Sequence, residues 1–220
     1  MIFINKYKVV YKGASGEITV KKSRFIATIQ PVDTEEKALQ FIEKMKKKYY
    51  NASHNCTAYI IGQNNDITRC NDDGEPSRTA GFPMLNVLQG EGLHNVVAVV
   101  TRYFGGTLLG TGGLVRAYQD ALKEGLKNCT IIEKQKGIKV HLNTDYTSFG
   151  KVQYLLSEEE IPIVDTVFTD TVDLTYLVPS QLSNAIENKI IEATSGQVQI
   201  SPDKEIYFAI VSDEILFFDS

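Results

Sequence analysis

The chain has 220 residues, of which 43% are hydrophobic and 23% charged, and its formal net charge is −4. This composition is that of an ordinary globular protein with room for one large core or two smaller ones. No apolar run approaches the ~20 residues of a membrane-spanning helix, and the N-terminus lacks the apolar core of a secretory signal, so we expect a cytoplasmic protein that contacts no membrane.

The first half of the chain predicts short strands that alternate with helices. Apolar runs near 7–11, 17–20 and 25–30 are broken by glycine and proline, which is typical of strands joined by turns. Thr34 is a good N-cap for a helix that ends at the lysines 46–48. The remaining elements predicted for this half are a strand over 57–61, a long turn-rich segment over 62–81, a short helix over 84–88, a buried strand over 96–100 and a helix over 113–126.

The second half has a different order of elements: strand, helix, strand, strand, helix, strand. The helices are predicted over 146–156 and after Pro179, and the strands over 138–142, 161–168 and 171–178, with strand runs returning at 198–200 and 206–211. This order is the split βαβ pattern of a ferredoxin-like sandwich. We therefore predict an α+β protein with two domains, 1–135 and 136–220, separated by a short polar hinge at 133–136.

Charge is distributed unevenly between the two halves. Residues 1–137 contain 19 Lys+Arg and 13 Asp+Glu, a net charge of +6, whereas residues 138–220 contain 4 and 14, a net charge of −10. A basic half predicts a polyanionic partner such as nucleic acid. The alternative that the two halves attract each other across an interface remains open.

A glycine-rich turn, RYFGGTLLGTGGLVR, connects the predicted strand over 96–100 to the next helix. Unpaired N–H groups at a helix start favour an anion, and glycine lets that anion approach the backbone. The turn lacks both the P-loop and the dinucleotide-binding spacing, so we expect no nucleotide cofactor. The alternative is that the glycines serve only to pack a helix on a sheet. The residues predicted to take part are Arg102 and Arg116 as phosphate contacts, Tyr103 or Phe104 as a stacking ring, and Gly105, Gly106, Gly112 and Gly113 as the open backbone.

Two charged clusters accompany this turn. Asp72, Asp73 and Glu75 form an acidic loop that is able to hold a divalent metal, act as acid and base, or order nearby arginines; we predict the last role and no metal. A basic cluster precedes the strand near 25–30, and we predict that Lys22 and Arg24 contact the anion. Protection of an edge strand by lysine is the alternative for that cluster.

His54 and Cys56 form a third candidate pair. They are two residues apart and would share a face of an extended segment, as a nucleophile with its base or as half of a zinc site. No convincing third and fourth ligand is readable, and Cys56, Cys70 and Cys129 form no CxxC pair. We therefore predict reduced thiols and a supporting role for His54.

Several motifs in order resemble the IMPACT family, and the whole chain resembles its bacterial two-domain, YigZ-type branch. The motifs that carry the resemblance are Ser23–Ala27, His54–Cys56, Asp72–Pro76, Thr79–Gly81 and Arg102–Tyr118. The resemblance implies an N-terminal fold shared with a ribosomal protein and with domain IV of elongation factor G, and a ferredoxin-like C-terminal domain similar to another domain of that factor. It also implies a link to translation, because eukaryotic relatives act in translational control. Arg78 departs from the small or polar residue of many relatives and adds a third arginine that we expect to reach the glycine turn.

We predict a non-enzymatic RNA- or ribosome-binding protein with a role in the regulation of translation and without cofactors. Two alternatives remain open. One is a hydrolase that acts on a phosphorylated or peptide substrate through the acidic loop and the arginines. The other is an adaptor that docks a protein of the translation machinery.

Overall fold

The computed structural model describes residues 6–212 and 214–218 and divides the chain into two compact units. The first unit is Tyr7–Glu133, and the second contains the chain from Lys134 onward. Each unit has helices, strands and a hydrophobic core of its own. The protein therefore has a mixed α+β architecture with two domains.

The first unit is built on a five-stranded antiparallel sheet with the strand order β2-β3-β7-β4-β5. Helix α1 packs on one face, and helices α2 and α3 pack on the other. The strands are β1 (Tyr7–Lys12), β2 (Ser15–Val20), β3 (Ser23–Pro31), β4 (His54–Ile61), β5 (Ile67–Asn71), β6 (Leu93–His94) and β7 (Val96–Tyr103), and the helices are α1 (Glu35–Lys48), α2 (Gly81–Gly90) and α3 (Thr111–Lys127).

The central strand β7 explains the apolar run of the sequence. Its residues from Val96 to Thr101 are buried because helices cover both faces of the sheet at this position. Burial ends at Tyr103, where the chain leaves the sheet and enters the glycine-rich turn. The turn therefore begins at the end of the most buried strand of the unit.

Helices α1 and α3 begin in different ways. The Thr34 side chain accepts a hydrogen bond from the Lys37 N–H at 3.2 Å and caps α1. Helix α3 has Gly110 at its N-cap, with φ +72°, and no side-chain cap. In the described part of the chain, no helix is both long enough and apolar enough to cross a membrane.

The second unit is an antiparallel sheet with both of its helices on one face. The strand order is β9-β10-β8-β11-β12. Apolar residues of β8 and β10 pack against α4 and α5 in one core. The elements are β8 (Thr130–Thr144), α4 (Tyr146–Glu158), β9 (Ile163–Phe168), β10 (Val172–Pro179), α5 (Ser183–Ala193), β11 (Val198–Val211) and β12 (Glu214–Phe218).

Three elements differ from the sequence-based prediction. Strand β5 lies inside the segment predicted to be a turn-rich loop; it is an edge strand whose residues are largely exposed, so it lacks an apolar pattern. The predicted hinge at 133–136 is wrong as a loop, because these residues belong to β8 and Gln135 is buried there. Strand β12 follows a turn near the end of the chain and was not predicted.

Candidate functional site

The candidate site lies at the end of β7, where the neighbouring strands bring distant parts of the sequence together. In the sheet register, Arg102 is opposite His54 of β4, and Tyr103 is opposite Arg24 of β3. The glycine-rich turn follows immediately and leads into α3. The basic cluster, the histidine and the glycine turn are therefore neighbours although they are far apart in sequence.

Gly105 is required by the fold itself. A Cβ atom at this position would lie 2.0 Å from the carbonyl carbon of Lys22, so only glycine fits against the turn between β2 and β3. The contact is fixed by a hydrogen bond of 3.1 Å from the Gly105 N–H to the Ser23 hydroxyl. The group that comes close to Gly105 is therefore the backbone of Lys22 and Ser23 in the same chain.

Gly112 is different, because the fold gives no reason for a glycine there. It lies in the first turn of α3, its φ is not left-handed, and a Cβ atom added to it would meet nothing within 4 Å. Glycine is a poor helix former, so alanine at this position would favour the helix. The first amides of α3 are without a side-chain cap, and the backbone around Gly112 is open to an approaching group.

A buried ion pair lies beneath the turn. Glu75 Oε1 accepts hydrogen bonds from Arg102 Nη1 at 2.7 Å and from the Tyr118 hydroxyl at 2.8 Å. Burial raises the pKa of Tyr118, which keeps its hydroxyl protonated as a donor. The Arg102 side chain is only 6% exposed, so this residue lies beneath the surface rather than at the surface position that the sequence predicted.

Arg102 instead supports an exposed ring. Its guanidinium carbon lies 5.3 Å from the ring centre of Phe25 on one side and 5.5 Å from that of Phe104 on another. Phe25 is fully buried, whereas Phe104 is 49% exposed. The pair Glu75–Arg102 therefore lies directly beneath a ring that is half exposed.

Asp72 holds the start of α2. Its Oδ1 accepts hydrogen bonds from the backbone N–H groups of Ala80 and Gly81 at 3.0 and 2.8 Å, and its Oδ2 accepts one from Arg78 at 2.8 Å. A carboxylate with three amide donors at a helix start has the geometry of a helix cap. The bonds of this carboxylate are structural.

Asp73 and His54 join the acidic loop to the start of β4. Asp73 Oδ2 accepts a 2.7 Å hydrogen bond from the Asn55 N–H, and its Oδ1 pairs with Lys46 at 3.3 Å. The backbone oxygen of Asp73 lies 2.8 Å from Nδ1 of His54, whose Nε2 is 3.9 Å from Glu75 Oε1. His54 thus contacts the acidic loop at two points.

Cys56 is buried beside the same loop. Its thiol donates to the backbone oxygen of Asp72 at 3.0 Å, and burial raises the pKa of the thiol. A protonated, buried thiol is a poor nucleophile. The contacts of this cysteine are those of a packed core residue.

The exposed basic residues near the turn lie on different elements, and they differ in whether they pair with a carboxylate. Arg24 lies 5.5 Å from the ring centre of Tyr103 and pairs with Glu17 at 2.8 Å, and Lys22 is exposed in the adjoining turn. Arg116 is exposed in the second turn of α3 and pairs with none of the described carboxylates. These three are the predicted basic residues with an exposed side chain next to the turn or on its helix.

Arg78 lies elsewhere. Its φ is +61°, and its guanidinium stacks 4.2 Å from the ring centre of Phe82 at the start of α2. None of its described contacts reaches the glycine turn. The expectation that this additional arginine reaches the turn therefore has no contact to support it.

The structure adds a loop that the sequence did not point to. The residues after α1, from Tyr49 to Ser53, border the end of β7. The Tyr103 hydroxyl donates to Asn51 Oδ1 at 2.9 Å, and the Phe104 N–H donates to the Ser53 hydroxyl at 3.2 Å. A lysine run followed by two tyrosines was the available signal, but about 50 residues of sequence separate it from the turn.

Comparison with known proteins identifies both halves of the chain. Residues 21–126 match the model of the Impact N-terminal domain, and residues 142–197 match a domain of unknown function, DUF1949. IMPACT family member YvyE of Bacillus subtilis is 41% identical over 204 residues, which cover 93% of this chain and 94% of that protein. IMPACT family member YigZ of Escherichia coli is 34% identical over 183 residues, covering 82% and 90%.

A solved structure shares the architecture. The crystal structure of a hypothetical protein superposes with a TM-score of 0.58 at 30% identity and covers 92% of this chain and 99% of its own. The fold and the ordered motifs around the glycine turn thus define a two-domain protein of the Impact N-terminal type. The chain belongs to the IMPACT family, as the sequence motifs predicted, and its similarity to YigZ extends through both halves.

Proposed function

We propose that this protein binds RNA, free or as part of the ribosome, through the first unit and acts in the regulation of translation. The observation that carries the proposal is the open first turn of α3, where Gly112 faces solvent and no side chain caps the helix. Helix starts of this kind favour phosphate because their amides point outwards and the helix dipole is positive there. The link to translation rests on the family resemblance.

The charges near the turn support a polyanion. Lys22 and Arg116 are exposed, and the half of the chain that contains them is basic. Phe104 offers an exposed ring beside the same backbone. Cations with an aromatic side chain along an open backbone are the usual components of nucleic-acid surfaces.

The acidic loop favours binding over hydrolysis. Asp72 caps α2, Asp73 pairs with Lys46, and Glu75 is bonded to Arg102 and Tyr118. A general acid or base needs access to its substrate and a proton to transfer. The bonds of these carboxylates order the site, so the binding function is the better supported.

We also propose a ferredoxin-like fold for the second unit and a kinship of both units with domains of elongation factor G. The order of elements from β8 to β11 and the strand order β9-β10-β8-β11 support the first point. The division at residues 135 and 136 remains our proposed domain boundary. Fold likeness alone does not carry the function.

The test is equilibrium binding of the full chain to fluorescein-labelled RNA across a salt series, together with co-sedimentation with ribosomes. We expect the affinity to fall with salt, because phosphate contacts release counterions. Arg116→Ala should weaken binding about tenfold and flatten the salt dependence. Lys127→Ala, at the other end of the same helix, should leave both unchanged. Absence of binding at low salt would refute the proposal.

A further inference from the structure

We infer that the RNA bound at this site is unpaired, with bases that stack on Phe104 and on Tyr50. The inference rests on the proposed function and narrows its ligand to single-stranded RNA. Tyr50 is a new binding residue that neither the sequence motifs nor the family models assign.

Two aromatic rings are exposed on segments that hydrogen bonds join. Tyr50 is 84% exposed and Phe104 is 49% exposed. Single exposed rings are common on proteins and need no explanation. These two differ because the loop that carries Tyr50 is bonded directly to the backbone that carries Phe104.

The connection consists of three hydrogen bonds. The Ser53 N–H donates to the Arg102 oxygen at 2.9 Å, the Phe104 N–H donates to the Ser53 hydroxyl at 3.2 Å, and the Tyr103 hydroxyl donates to Asn51 at 2.9 Å. Tyr50 and Ser53 are three positions apart in the chain, which limits their Cα separation to about 11 Å. The backbone segments that carry the two rings are therefore neighbours.

The Phe104 ring and the backbone of the loop that carries Tyr50 are both held by contacts within the free protein. Phe104 lies on the guanidinium of Arg102, which Glu75 holds from below. The loop from Tyr49 is closed by a hydrogen bond of 3.0 Å from the Ala52 N–H to the Tyr49 oxygen. A ring that is ordered in the free protein loses less conformational entropy when a base stacks on it.

Exposed cations occur in the segments that adjoin each ring. Lys47 and Lys48, at the end of α1, are exposed and precede Tyr50 by two or three residues. Lys22 belongs to the turn that packs against Gly105, the residue after Phe104, and Arg24 follows it at the start of β3. Phosphates on both sides of a stacked base can therefore be neutralised, which gives the surface the charge of an RNA partner.

Stacking on these rings excludes a duplex. The faces of paired bases are covered by their neighbours, and the major groove of A-form RNA is too narrow for side chains to read. Unpaired bases offer both faces and stack on tyrosine and phenylalanine without sequence preference. The ligand that uses the rings and the lysines together is single-stranded RNA.

The experiment compares one RNA sequence in two forms, as a single strand and annealed to its complement, with the full-length protein at a single low salt concentration. We expect the single strand to bind at least tenfold more tightly. Tyr50→Ala and Phe104→Ala should each weaken single-strand binding by about 5- to 150-fold, the effect of losing one stacked base. Tyr50→Phe keeps the ring and should restore binding to within about twofold.

Tyr154→Ala is the matched control, because Tyr154 is 67% exposed on α4 of the second unit. It should leave binding unchanged. A 2-aminopurine base in the single strand should lose fluorescence on binding to the wild type and less so on binding to Tyr50→Ala. Thermal melts of Phe104→Ala establish whether it folds, and Tyr50→Ala tests the inference independently because the ring is on the surface.

The outcomes separate the inference from the proposed function. Equal binding of duplex and single strand, or unchanged binding by Tyr50→Ala and Phe104→Ala while Arg116→Ala is weakened, overturns the inference and leaves RNA binding intact. Loss of all RNA binding in the wild type removes both. Tight single-strand binding that depends on both rings supports both.

Discussion

Replacement of Gly112 by alanine is expected to stabilise the protein and to weaken its binding of RNA. The new methyl group meets nothing within 4 Å, so it adds no strain to the free protein. Gly→Ala at a compatible position stabilises by about 0.4–1 kcal/mol because it restricts the unfolded chain. For a chain of this length, that corresponds to a rise of about 1–4 °C in melting temperature.

The same methyl group would occupy the space through which, in the proposed function, a phosphate reaches the first amides of α3. Displacement of a phosphate from a charge-assisted hydrogen bond removes about 1.5–3 kcal/mol, which is roughly a ten- to hundredfold loss of affinity. Stability and affinity should therefore change in opposite directions. A substitution that only damaged the fold would lower both.

The assay pairs thermal melts with RNA anisotropy titrations on Gly112→Ala and on Gly150→Ala. Gly150 lies in α4 of the second unit, and a Cβ atom added to it also meets nothing within 4 Å. It should give a similar gain in stability with no change in affinity. If Gly112→Ala binds RNA as tightly as the wild type, the reasoning that a ligand approaches the helix start here is refuted.

Three further predictions concern the buried groups of the first unit. Glu75→Gln should destabilise the unit by about 3 kcal/mol in urea unfolding, because it leaves the buried Arg102 without its counter-charge. The control is Glu17→Gln, which breaks an exposed ion pair of similar length and should lower stability by less than about 1 kcal/mol. Iodoacetamide at pH 8 should label the exposed Cys70 of the native protein and leave the buried Cys56 unlabelled, as measured by peptide mass spectrometry. Rapid labelling of Cys56 would contradict its burial. The pKa of Tyr59 is raised to about 12 by burial and by its hydrogen bond to a glutamate, so the native state favours the neutral phenol and the unfolded state ionises first. The contribution of Tyr59 to stability should be fully present below pH 10 and be lost between pH 10 and 12. Urea unfolding across this interval should show a smaller fall in stability for Tyr59→Phe than for the wild type.

Much of the secondary structure could be predicted from local patterns. Thr34 and the lysines at 46–48 mark both ends of α1 because caps and dipoles act within one turn of a helix. The apolar run of β7 predicts a strand covered on both faces. Strand β5 was not predicted, because an exposed edge strand has no buried face and its sequence therefore lacks an apolar pattern.

The candidate site was harder to predict, because a residue type does not reveal burial. Arg102 has the same side chain as Arg24, yet one lies beneath the turn with Glu75 and the other lies on the surface. Sheet register decides this difference, and register is a tertiary property. The contribution of the loop at Asn51 and Ser53 depends likewise on strands that are distant in sequence.

The acidic loop contributes three carboxylates beside a surface that is proposed to hold an anion, yet their charges are matched within the protein. Glu75 faces Arg102, Asp73 faces Lys46, and Asp72 is surrounded by backbone N–H dipoles. An approaching phosphate therefore meets little repulsion from this loop, because each negative charge has a partner within 4 Å. Removal of one partner, as in Lys46→Ala, would restore a negative field next to the turn and slow the arrival of any polyanion.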